Sequence, residues 1–168
     1  MQLRNLRIPL MVAAAIGAGL LINGAAPKPA ATVGDDPRNA ETTVPVKTSA
    51  TIYRSPSCGC CGSYISYLEG RGYAVTTEFM KKNGQRLDRF GIPEDMASCH
   101  TMQVGPYVVE GHVPEEAIRK LLDEKPDIRG IALPGMPFGS PGMPGEKEED
   151  FTIYRLEKDG TTSPFVVI

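Results

Sequence analysis

Three of the four cysteines in this chain fall within Cys58-Gly59-Cys60-Cys61, after a strand-like run and before a helix-like one. A helix N-terminus offers unpaired backbone N–H groups and the positive end of the helix dipole, and both favour thiolate over thiol. Thiolate is the form that binds soft metals and attacks disulfides. Three such groups on one turn exceed what a disulfide staple needs. The segment reads as a soft-metal or redox site.

Cys58 and Cys61 have the C-x-x-C spacing of dithiol oxidoreductases, but Cys60 inside the pair would scramble a clean two-electron couple into mixed disulfides. Structural bridges account poorly for the set as well. Cys60 and Cys61 are adjacent, Cys58 is too close to either for an unstrained bridge, and a single long-range bridge to Cys99 leaves two thiols over. Bridging thiolates on metal explain the extra cysteine better. Structural zinc sites usually show two separated C-x-x-C pairs, or one with H-x-x-x-H, and only one pair exists here. Three thiolates so close cannot spread around one tetrahedral ion without strain, so sharing among several ions is expected. Thiolate-rich and multinuclear, in a chain whose N-terminus reads as an export signal, indicates copper(I), with iron–sulfur the poorer alternative. The rival reading is a thiol–disulfide oxidoreductase in which Cys58 attacks and Cys61 resolves. A third keeps copper and makes the protein an enzyme interconverting Cu(I) and Cu(II), with the cluster as electron store.

Further donors are Cys99, which alone would read as a small buried hydrophobe, and its neighbour His100. His112, in Glu110-Gly111-His112-Val113-Pro114, ends a strand before a proline-started helix and is the preferred histidine ligand. His100 is a secondary candidate, because adjacent residues on an extended chain point opposite ways and Cys99 is expected to face the site. The loop Leu133 to Gly145 contains Pro-Gly-Met-Pro twice; Met136 and Met143 are soft thioethers on it, secondary candidates as ligands and otherwise a lid or apolar filler. Met102 reads as core.

The elements that must position these residues are legible in outline. Thr51 to Arg54 reads as a strand ending in the turn Ser55-Pro56-Ser57. Tyr64, Ile65, Tyr67 and Leu68 give an amphipathic helix from Ser63 that stops at Gly70. Ala74 to Met80 alternates as a second strand, and Lys81 to Met96 is polar with Leu87, Phe90 and Ile92, giving a short helix or two turns around Pro93. Thr101 to Val104 and Tyr107 to Glu110 flank Gly105-Pro106 as a hairpin. Pro114 to Lys125 is the clearest helix, with Glu115 and Glu116 in its first turn and Ile118, Leu121 and Leu122 on one face. Phe151 to Leu156 and Ser163 to Ile168 make a last hairpin around Lys158-Asp159-Gly160. The order β-α-β-α-β-β-α is that of an α/β, thioredoxin-like domain, here with a C-terminal Pro/Gly/Met loop and β-hairpin. In that topology all four cysteines and both histidines converge on one edge of the sheet.

The remainder of the chain bounds the setting. Arg4 and Arg7 precede an apolar run from Ile8 to Ile22 and small residues at Gly24, Ala25 and Ala26, so residues 1–26 read as a signal peptide or an uncleaved N-terminal anchor. Residues 27–49, rich in Pro, Thr and Ala, read as a flexible linker, and residues 50–168 as the folded domain. A formal net charge of −2 gives no basic face for nucleic acid or anionic lipid. The expected setting is the periplasm, with membrane contact only through the N-terminal segment.

Ser57-Cys58-Gly59-Cys60-Cys61, Ser98-Cys99-His100-Thr101, Val109 to Pro114 and Gly130 to Pro137 with Gly139 to Met143 together resemble the predicted metal-binding family that includes the CopG-type copper-resistance proteins of Gram-negative bacteria. The resemblance spans about residues 50–145. It implies an exported thioredoxin-like domain that binds copper, associates with other periplasmic copper-handling proteins, and has a proposed role in copper redox cycling. Carried over by position, Cys58, Cys60, Cys61 and Cys99 are the ligand cysteines and His112 the histidine. Gly105-Pro106 departs from the Gly-rich turn usual in the family.

Overall fold

The computed structural model describes residues 47–168; the expected signal segment and nearly all of the expected linker lie outside the described residues. The elements run β1 (Thr48–Arg54), α1 (Gly59–Glu69), β2 (Tyr73–Phe79), α2 (Asn83–Phe90), β3 (His100–Val104), β4 (Tyr107–Glu110), α3 (Glu115–Glu124), β5 (Gly130–Ala132), β6 (Thr152–Leu156) and β7 (Thr162–Val167). A 3₁₀ turn, Glu94–Met96, follows Pro93. From β1 to α3 this is the order that the residue patterning predicts, although β1 starts at Thr48, inside the stretch read as linker.

The described strands all join one seven-stranded sheet in the order β2-β1-β3-β4-β5-β6-β7. β1 is parallel to β2 and antiparallel to β3, β3 is antiparallel to β4, and β4 is parallel to β5. Strand alternation sends successive side chains to opposite faces. Ile52 therefore joins Tyr64 and Leu68 of α1 and Ile118 and Leu121 of α3, while its neighbour Tyr53 joins Leu87 and Phe90 of α2. Helix α2 (Asn83-Gly84-Gln85-Arg86-Leu87-Asp88-Arg89-Phe90) is a poor helix former by propensity and is held by those two apolar anchors, each worth about 1.5–3 kcal/mol on full burial.

Two features differ from expectation. Helix α1 begins at Gly59, with Cys58 as its N-cap residue, so Cys60 and Cys61 lie within its first turn rather than ahead of it. Strand β5 was not foreseen, because three residues are too few to show a period. A Cβ at Gly130 would lie 1.8 Å from the Val108 carbonyl oxygen, so glycine is what lets β5 approach β4. Through the pairing of Ala132 with Tyr154, the C-terminal hairpin continues the sheet instead of being an appendage to it. No described helix is long and apolar enough to cross a membrane.

Candidate metal centre

Antiparallel pairing sets Arg54 opposite His100 and Thr101 opposite Glu110, so the end of β1, the start of β3 and the end of β4 share one edge. The four cysteine sulfurs lie within 4.8 Å of one another there. Cys60 Sγ is 3.5 Å from Cys58 Sγ and 3.7 Å from Cys99 Sγ, and Cys61 Sγ is 3.5 Å from Cys99 Sγ. A second donor group, Cys99, His100 and His112, obeys the same limit and shares the Cys99 sulfur. Every donor in these two groups is a thiol sulfur or an imidazole nitrogen. Such a set fits a thiophilic cation such as copper and not magnesium or calcium, which require oxygen.

The turn that carries Cys58 is set by local backbone. Its N–H donates to the Ser55 carbonyl at 3.2 Å, and the Arg54 guanidinium donates to the Cys58 carbonyl. The structure pairs Cys58 and Cys61 as a disulfide, with Cα atoms 5.5 Å apart, inside the ordinary range. This corrects the expectation that Cys58 is too close for a bridge. An N-cap residue and the third residue after it sit on one face of the first turn, which brings their sulfurs together. In this oxidised form Cys60 and Cys99 are the free thiols, both half-buried. Reduction returns the other two sulfurs to the donor set.

Cys99 is positioned by charge burial that the sequence reading missed. Arg86 (2% exposed) pairs with Glu110 (0%), the chain's one deeply buried ion pair among the described residues. Glu110 Oε1 accepts the Ser98 N–H at 2.7 Å, and the Arg86 guanidinium donates to the Ser98 carbonyl at 2.7 Å. Both backbone groups of the residue before Cys99 are thus held by one ion pair. The Thr101 hydroxyl donates to Glu110 at 2.6 Å, and Asn83 Oδ1 accepts from Arg86. Burial pushes the Glu110 carboxyl above its ordinary value, while Arg86 and the other donors pull it back. A signal was present in the sequence: Glu110 ends the apolar run Tyr107-Val108-Val109, where a carboxylate needs a partner.

Gly111 turns the chain toward the sulfurs at φ +80°, with no room for a side chain: a Cβ would come within 2.5 Å of the Leu133 carbonyl oxygen. His112 follows, its Nε2 3.0 Å from Cys99 Sγ. Its Nδ1 lies 2.7 Å from the Pro141 carbonyl, which can only accept, so Nδ1 carries the proton and Nε2 presents its lone pair to the sulfur. His100 is fully buried and its Nδ1 is 3.4 Å from Cys99 Sγ. The expectation that it points away fails because Cys99 precedes β3 and lies outside the strand alternation. Tyr64 backs both rings, with centroids 4.6 Å from His100 and 5.4 Å from His112. Burial lowers both imidazole pKa values, most at His100, which keeps the rings neutral and able to ligate. Burial, and then the Cys60 thiol beside it, pushes Cys99 up to about 12. The metal-free thiol is therefore protonated and can donate to His112 Nε2.

A cleft of about 450 Å³ opens onto the cluster, lined by Cys58, Cys60, Cys99, Arg86, Met80 and Met136 among others. Met136 is 52% exposed at its edge. Met143 is half-buried and is not part of that lining; it follows Gly142, whose Cα sits so close to α1 that a Cβ would lie 2.7 Å from the Tyr64 nitrogen.

The profile of a family described as a protein of unknown function, DUF411, matches residues 96–143, the stretch from just before Cys99 to Met143. Two solved structures, form 1 and form 2 of copper resistance protein copG, are each 36% identical to the chain with a TM-score of 0.67. Each match covers 73% of this chain and 98% of that one. No curated protein matches the chain.

Proposed function

We propose that this chain, which belongs to the family of CopG-type copper-resistance proteins, is a periplasmic copper-binding protein that holds copper through Cys58, Cys60, Cys61, Cys99 and His112. The observation that carries the reading is the meeting of four sulfurs within 4.8 Å at one end of a sheet. Because Cys99 belongs to both donor groups, its sulfur is placed to bridge ions, which supports a multinuclear centre. His100 is an auxiliary ligand in this reading, Met136 lines the cleft outside the resident ligand set, and Met143 belongs to the loop that covers the centre. We assign the fold as thioredoxin-like, supported by the strand order β2-β1-β3-β4 and by helices after β1, β2 and β4. The periplasmic setting rests on Arg4, Arg7 and the apolar run from Ile8 to Ile22, and other periplasmic copper-handling proteins are the natural donors and acceptors.

Copper analysis of purified protein tests the reading. Cys58→Ser and Cys61→Ser are each expected to abolish tight copper binding while the domain stays folded, and full copper stoichiometry in both would sink the proposal. His112→Ala should weaken or retune the centre, seen in its visible and EPR spectra; unchanged spectra would remove His112 from the ligand set.

The Cys58–Cys61 bridge favours a second reading, in which the centre also cycles copper. Two Cu(II) ions would oxidise the Cys58/Cys61 dithiol to the disulfide, releasing two protons and yielding two Cu(I). Metal-free thiol–disulfide exchange is the competitor, and Cys60 and Cys99 each lie 3.5 Å from a sulfur of the bridge. Anaerobic addition of Cu(II) to reduced protein distinguishes them: cycling predicts loss of the Cu(II) EPR signal, two ions for each bridge formed.

A further inference from the structure

We propose that Met80 and Met136 form a thioether entry point for Cu(I) at the mouth of the cleft, where the ion is first captured before it passes to the cysteine sulfurs. The inference rests on the copper reading of the cluster and adds the route by which the ion arrives. The five methionines of the domain fall into three kinds, Met143 being half-buried and outside the cleft. Met96 and Met102 are buried, 8% and 0% exposed, and serve as core filler. Met80 and Met136 line one cleft together with Cys58, Cys60 and Cys99; Met80 is half-buried, packed in part against the cluster of Tyr53, Leu87 and Phe90, and Met136 is 52% exposed.

Both thioethers are carried on anchored backbone. The Met80 N–H donates to the Arg54 carbonyl at 2.9 Å, tying it to the strand end that leads into the cysteine turn. Met136 follows Gly135, whose N–H donates to the Ala97 carbonyl at 2.9 Å and whose carbonyl accepts the Ser98 hydroxyl, beside Cys99. The backbone of one methionine is thus tied to the strand end that leads to Cys58, and that of the other to the residues before Cys99. Thioether sulfur is soft, neutral and carries no proton to displace, so it accepts Cu(I) readily and releases it readily. Transfer inward is ligand substitution: a copper–thioether bond breaks, a copper–thiolate bond forms, the thiol proton leaves to water, and no electron moves. The anionic sulfurs bind more tightly, so the ion runs downhill.

The test is stopped-flow uptake of Cu(I) from its bicinchoninate complex by the reduced protein, followed by bleaching of the complex. Met80→Leu/Met136→Leu keeps side-chain volume and apolar character. Uptake is expected to slow at least tenfold with final copper stoichiometry and spectrum unchanged, while Met143→Leu behaves as wild type. An unchanged rate in the double variant would overturn the entry point. So would a lowered final stoichiometry, which would make the two thioethers resident ligands. Wild-type protein that takes up no copper at all would instead refute the copper reading itself.

Discussion

Cys58, Cys60 and Cys61 reach the cluster on four consecutive residues of backbone, whereas Cys99 arrives 38 residues after Cys61 and is held there by side chains from α2 and β4. The first wall depends on helix-turn geometry, which any reduced or oxidised state of the sulfurs can keep. The second depends on a desolvated ion pair whose partners both grip Ser98. A local turn can change its chemistry without unfolding anything. A buried charge pair has no such freedom, because losing one partner strands the other in low dielectric.

Glu110→Ala tests that contrast most severely. It leaves Arg86 buried without its carboxylate and is expected to cost about 3–5 kcal/mol in urea unfolding and to scatter the Cys99 side of the cluster. A loss below 1 kcal/mol would erase the distinction between the walls. Reducing the Cys58–Cys61 bridge should be milder, about 2 kcal/mol from the chain entropy of so short a loop, with secondary structure intact by circular dichroism. Unfolding on reduction would reverse the ranking.

Gly142→Ala probes the roof between the walls. The residue sits at φ +81° against the Tyr64 backbone, so a methyl group must shift the neighbouring Pro141 carbonyl away from His112. Copper affinity should fall roughly tenfold, the low end for disturbing a ligand's hydrogen-bond partner, measured by chelator competition. The smallest effect is a pH dependence in the metal-free protein. Folded His100 resists protonation, while in the unfolded chain it takes up a proton near its ordinary 6.5. The unfolded state then binds more protons, so stability falls as pH drops below about 6.5, by at most about 1.36 kcal/mol per unit. His100→Phe, which keeps a ring against Tyr64, should flatten that slope relative to wild type; equal slopes in urea midpoints between pH 6.5 and 5 would mean that His100 does not titrate in this way.

The local wall was the legible one. The spacing of Cys58, Cys60 and Cys61, the proline before α3 and the alternation of β2 are short-range signals; they carry the element order from β1 to α3, and the topology read from that order brings the six donors to one edge. What escaped notice depends on contacts between distant residues. Arg86 lies in a polar octapeptide that looks like a solvated helix, and only its meeting with Glu110 reveals it as interior. His100 faces the cluster beside Cys99 because strand alternation does not extend across the start of β3. Spacing along an extended chain argues against an unstrained structural bridge between Cys58 and Cys61, whereas a helical turn brings the two together. The shortness of β5 hid the continuity of the sheet.

That three-residue strand has a consequence for how the chain could be shortened. Residues 133–151 span from β5 to β6 and are fastened at both ends within the same sheet, so the strap that carries Met136 and Pro141 is a bridge and not a flap. A protein cut ahead of Gly130 would do more than uncover its sulfurs. It would bare the backbone of β4 along a flat flank, ready to zip onto another copy, and self-association would arrive together with the loss of copper.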